Sequence, residues 1–152
     1  GQVIGRTKQE LVCRYPVSAK SWILKYEFAI TTGQTLNTKY GQYDGPLKAD
    51  ITYETANGTT RVEKDFDIAA AMYEYNNKAP KKNSNNVVVV DPERMLRPET
   101  TDRFFVNISD AISMKSIKFI AEGSSNNANW TIKNISVSLV RSNSTLWINE
   151  ND

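Results

Sequence analysis

Apolar and polar residues alternate in short runs along most of this chain, and clusters of Ser, Asn, Gly and Asp separate the runs. A period of two marks strands that bury one face. The clearest run, SWILKYEFAITT at 21–32, sets Trp22, Leu24, Tyr26, Phe28 and Ile30 on one face and Lys25 and Glu27 on the other. A second strand is expected over 47–55, where Leu47, Ala49, Ile51 and Tyr53 share a face. Asn57-Gly58 then predicts a tight hairpin turn, because both residues tolerate positive φ, leading into a strand over 60–67. The β-branched run 87–90 reads as a short buried strand closed by a turn at Asp91-Pro92. Three strands follow at about 102–109, 114–122 and 129–140, with a last one around 146–148. The stretch DIAAAMYEY at 67–75 departs from the alternation: its helix formers, with Asp67 as N-cap, predict one or two helical turns.

The strand carrying Trp130 contains a conflict of parity. Trp130 and Ile132 fall on one face of a period-two strand, whereas Ile135, Val137 and Leu139 fall on the other. One extra residue at Lys133 or Asn134 restores a common face, which predicts a β-bulge there. Seven to nine short strands with turn signals between them point to an all-β antiparallel sandwich rather than a parallel α/β fold. No internal repeat or linker divides the sequence, so residues 1–152 are expected to form one domain.

Composition narrows the chemistry. A chain of 152 residues can bury roughly two thirds of its unfolded surface without disulfides or a structural metal. The net charge of +2 supplies no field that points to nucleic acid. The basic run KAPKK at 78–82 lies in an Asn-rich stretch and reads as a solvated loop. Histidine is absent, which removes the commonest general base, the commonest transition-metal ligand and every Ser-His or Cys-His nucleophile. The single Cys13 follows Leu11 and Val12 and reads as a small packed side chain. Asp65 and Asp67 would share a strand face, yet like charges at a strand end are usually solvated, and no carboxylate spacing names a catalytic pair. An enzyme is not expected. No apolar run reaches the length of a membrane span and no leader pattern opens the chain, so it reads as a mature form or an excised module of a larger protein. Five Asn-x-Ser/Thr sequons, at Asn57, Asn107, Asn129, Asn134 and Asn143, are only slightly more than this Asn-, Ser- and Thr-rich composition produces by chance.

From Tyr26 onward the chain resembles the PLAT family, the C2-like eight-stranded β-sandwich module of lipoxygenases, lipases and clostridial phospholipase toxins. YEFAITTGQ at 26–34, Asp44-Gly45 and the strand ending ADITYE look like that family's first strand, its turn, and its Asp-containing loop before the second strand. RPETTDRFFVNI resembles its later Asp-x-Phe segment, and IKFIAEGSSNNANWTIKNISVSL its penultimate strand, polar loop and Trp-bearing strand. A jelly roll is the alternative fold. The resemblance implies a non-catalytic attachment module of a secreted or cell-surface protein, engaging a membrane surface or protein partner. It also implies calcium held by Asp44 and Asp102, with carbonyls near Gly33 and Gly45. From the residues alone, Asp44 reads instead as a turn residue bonding its own backbone and Asp102 as a strand-start acceptor for a neighbouring loop. The aromatics Tyr40 and Tyr43, in one loop, and Trp147, near the C-terminus, are the expected ligand-binding residues, since an aromatic face suits either a lipid interface or a sugar ring. The rival functions are therefore a carbohydrate-binding module and a structural or adhesive domain.

Overall fold

The computed structural model describes residues 2–4, 9–18, 23–34, 42–123, 128–143 and 146–150. Its strands are β1 (Gln2–Ile4), β2 (Gln9–Ser18), β3 (Ile23–Thr32), β4 (Leu47–Thr55), β5 (Thr60–Asp67), β6 (Thr101–Val106), β7 (Ala111–Ala121), β8 (Trp130–Asn143) and β9 (Leu146–Glu150), with one helix, α1 (Ile68–Tyr75), between β5 and β6. One sheet runs β1-β8-β3-β6 with β9 on β8, and the other runs β2-β7-β4-β5. Among the described residues, seven strands of six or more residues carry the two sheets, one fewer than expected, and the short β1 and β9 add to β8. All pairings are antiparallel, as the alternating runs predict.

The pairings nest. β4 pairs β5, β3 pairs β6, β2 pairs β7 and β1 pairs β8, so the chain is one long folded ribbon. Two further pairings, β3 with β8 and β4 with β7, close the ribbon into the two sheets. This nested order is the wrap of a jelly roll.

Inward-facing residues of both sheets make one core. Tyr26, Phe28 and Ile30 of β3 are buried, as are Leu47, Ala49, Ile51 and Tyr53 of β4, each set with the parity read from the sequence. Phe28 stacks on Phe104 at 5.2 Å, and the edge of Phe119 meets Trp130 at 5.8 Å. Burying each such side chain contributes about 1.5–3 kcal/mol. The indole N–H of Trp130 donates to Thr32 Oγ1 at 3.0 Å, so its one polar atom is satisfied inside the sandwich. The side chains of Trp22 and Leu24 lie outside the described residues.

The bulge on the Trp strand is present at Lys133. Thr31 pairs with Asn134 and the next residue, Thr32, with Ile132, so Lys133 has no partner on β3. Lys133 and Asn134 are both exposed, which lets Trp130 and Ile132 on one side, and Val137 and Leu139 on the other, face the same core.

One sequence expectation is met with a different turn geometry, and another needs correction. The β4–β5 turn spans four residues, 56–59, and only Gly58, at φ 85°, takes positive φ. The hairpin joins the two strands at the expected bounds, but Asn57 acts through its side chain, whose Oδ1 accepts from the Thr59 amide and the Thr55 hydroxyl, rather than through positive φ. The 87–90 run is not a strand: apart from one bridge, Val88 to Lys82, it makes single ties, the Val89 amide to Lys81 O and the Val90 amide to Gly45 O. Its apolar side chains serve packing, not a ladder, and Val89 and Val90 are buried. The expected turn does follow, with the Asp91 carboxylate accepting from the Glu93 amide at 3.0 Å.

Helix α1 forms where Asp67 caps it, accepting from the Ala70 amide at 3.0 Å. It sits against edge strand β6 and also touches β4, sealing one side of the sandwich with Ile68, Ala69, Met72 and Tyr73. It ends in a Schellman-type arrangement: Asn77 takes φ 56° and donates to Glu74 O, while the Lys78 amide donates to Tyr73 O.

Candidate functional site

A cleft of about 400 Å³ opens where the end of α1, the segment 91–100 and the start of β6 meet. Its lining includes Tyr75, Asn76, Lys78, Arg94, Asp102 and Arg103. The Schellman turn at Asn77 fixes the backbone of Lys78 at the end of the helix. The turn on Asp91 fixes Arg94, whose Nε donates to Asp91 Oδ2 at 2.8 Å. Arg103 projects from β6 and donates to Glu27 Oε2 at 3.2 Å, while Tyr75 donates its hydroxyl to Glu27 Oε1 at 3.0 Å. One carboxylate of the neighbouring strand therefore positions both an arginine and a tyrosine.

The segment 91–100 is tied down at backbone level. Leu96 and Glu99 take φ 53° and 61°, conformations that cost a non-glycine residue on the order of 1 kcal/mol or more. Each is held by a hydrogen bond, one local and one long-range: the Leu96 amide donates to Asp102 Oδ2 at 3.0 Å, and the Glu99 amide to Thr32 O at 2.8 Å. Asp102 is buried, and that burial pushes its carboxyl above the usual carboxylate range, with the Leu96 amide opposing the shift in part. Burial pushes Asp91 the same way, but the Arg94 guanidinium and the Glu93 amide outweigh it and hold that carboxyl below the ordinary value.

The residues singled out from the sequence do not converge here. Asp102 lines the cleft, in the strand-start role of accepting from a nearby loop. Asp44 lies instead in a separate depression with Gly45, Pro46, Lys81, Lys82 and Gly123. Among the described residues no three carboxylates or other metal-ligating groups cluster. Calcium takes six to eight oxygens, and one Asp102 oxygen already accepts from an amide, so this donor set does not fit the ion. Tyr43 is in the core at 1% exposure, its hydroxyl donating to Pro46 O and its pKa pushed up by burial, so its ring offers no face to a ligand. Tyr40 lies outside the described residues, as does the side chain of Trp147, which stands in β9 opposite Ser142. Of the carboxylates weighed for catalysis, Asp67 is the helix cap and Asp65 holds φ 54° at a bulge opposite Asp50.

Lys78 reads from the sequence as part of a solvated basic loop, and Arg94 and Arg103 draw no attention alone, so nothing in the sequence joins these three separate segments into one site. Only the resemblance brought Asp102 forward. No family model matches the chain, and no curated protein or solved structure matches it either. The likeness to PLAT domains therefore rests on the residue patterns alone.

Proposed function

We propose that this chain is a non-catalytic binding module of a larger secreted or cell-surface protein and that its ligand is a saccharide. The observation that carries the reading is the mixed lining of the cleft: donors from Arg94, Arg103 and Asn76, each held by a side-chain bond, and from Lys78 stand beside acceptors at Asp102 and Thr101. A polyhydroxylated ligand both donates and accepts, and oriented polar groups around a concave site of this size are what select it. The membrane mode implied by the PLAT resemblance has less support, because Tyr43 is buried and Asp44 and Asp102 line different depressions. A non-catalytic role is favoured by the carboxylates near the cleft, since Glu27 and Asp91 each bind an arginine.

The test is binding of the full chain to a panel of neutral and acidic polysaccharides by affinity electrophoresis, beside sedimentation with anionic liposomes in calcium or chelator. Retardation by at least one polysaccharide, with a dissociation constant of roughly micromolar to millimolar, is expected. Calcium-dependent liposome binding without any retardation would return the membrane reading to first place.

A further inference from the structure

The cleft lining holds more cationic donors than a neutral sugar requires. Arg94 and Arg103 are each gripped along one edge by a carboxylate, at 2.8 and 3.2 Å. A guanidinium carries five N–H donors in a fixed fork, so each arginine keeps donors beyond those bonds, oriented in advance. Lys78 makes no ion pair among the described residues, and the helix cap sets its backbone beside the cleft. Lys78, Arg94 and Arg103 are all exposed, so a ligand can reach them.

Asp91 and Glu27 already balance the two arginines, but a neutral ligand would partly desolvate Lys78, which has no ion pair among the described residues, without supplying a counter-charge, which is unfavourable. A fully ionised phosphate, or a phosphodiester whose headgroup has no hydroxyl, would match the cations but set an anion beside the Asp102 carboxyl with nothing to donate to it. One chemistry satisfies both halves of the lining: an anionic group that accepts, next to hydroxyls that donate. Resting on the saccharide reading, we infer that the cleft takes an acidic sugar residue, with its carboxylate or sulfate ester set among Lys78, Arg94 and Arg103 and its hydroxyls directed toward Asp102. The cavity of about 400 Å³ suits one sugar ring with its substituents. Charge-assisted bonds to the arginine forks supply the selectivity for the acid.

Calorimetric titration of the full chain with a uronate trisaccharide, a sulfated trisaccharide and a neutral trisaccharide, at low and high salt, tests this. At least one acidic sugar should bind about tenfold or more tightly than the neutral one, with the advantage shrinking at high salt. Lys78→Gln and Arg103→Gln should each weaken the acidic sugar severalfold and the neutral one less, so that the advantage of the acid shrinks in both variants. Lys78→Gln removes no described side-chain bond, so loss of fold does not explain its effect. Asp102→Asn, which keeps an oxygen for the Leu96 amide, should weaken every sugar that uses the cleft. Equal affinity for acidic and neutral sugars would overturn the inference while leaving the saccharide reading in place. Acidic binding unmoved by both cation variants would overturn the assignment to this cleft. Absence of binding by any polysaccharide or trisaccharide would overturn both readings.

Discussion

Asp50 shows how a buried carboxylate can be fully occupied by structure. Its Oδ1 accepts from the Asp65 amide at 3.0 Å and its Oδ2 from Lys64 Nζ at 2.9 Å, across a bulge where Ala49 pairs Phe66 but Ile51 pairs Glu63. The amide, then the ammonium, hold its pKa below the ordinary value against desolvation. Its contribution to stability is therefore present above the unfolded pKa of about 3.9 and is lost as pH falls through the lower folded value. Asp102 has the opposite sign. Burial raises its folded pKa, so the native state keeps the proton longer, and stability declines as pH rises from about 3.9 through that raised value. Asp50→Ala should cost about 2 kcal/mol at neutral pH, because the Asp65 amide loses its acceptor, and progressively less in acid. Asp102→Asn should gain on the parent as pH rises from acid to neutral. Thermal melts of the two variants across that range check both signs, and parallel pH profiles would show that neither carboxyl titrates as described.

At the scale of elements, the sequence was legible wherever one face of a strand is buried and one is wet. β3, β4, the Asp67-capped helix and the bulge at Lys133 all follow from parity or capping, because burial enforces those patterns. β2 was not legible. Its partly buried Leu11 and Cys13 alternate with exposed Glu10, Val12 and Arg14, but apolar Val12 faces outward at 48% exposure and blurs the period. Pro16 also argues against a strand, yet β2 is an edge of its sheet and Pro16 lies in the register shift between Arg14 and Val17, where a missing N–H is tolerated. The 87–90 run failed for the reverse reason, since its apolar side chains pack with no neighbouring strand to pair. The cleft was illegible because three separate turns and strand ends create it, and no periodicity links them. The bulge gives the sharpest test at this scale. Lys133→Ala removes only an exposed ion pair to Glu99, so the melting temperature should barely move, whereas deleting Lys133 would turn Trp130 and Ile132 out of the core and should abolish cooperative unfolding. Circular dichroism melts distinguish the two, and a deletion variant that melts like the parent would mean the strand can slip without losing its face.

At the scale of the whole molecule, the nested wrap makes the two ends of the chain mutually dependent. β1 and β2 are the partners of β8 and β7, so more than ninety residues separate strands that must meet. Non-local pairing of this kind closes slowly, and folding in milliseconds to seconds is expected. The likeness to PLAT domains starts only at Tyr26, which would make the first two strands dispensable, whereas the wrap makes them structural. β2 pairs along most of β7, from Gln9 with Ala121 to Ser18 with Ser113. Without it, the amides and carbonyls of β7 would form an open edge next to the core residues Ile117 and Phe119, a template for association. A chain beginning at residue 21 should therefore aggregate or lack a cooperative transition, while the full chain unfolds in one step. Size-exclusion chromatography and a melt of the two chains decide the point. A monomeric, cooperatively folded short chain would show that β3 to β8 suffice, that the fold unit is the stretch resembling PLAT domains, and that β1 and β2 are an addition to it.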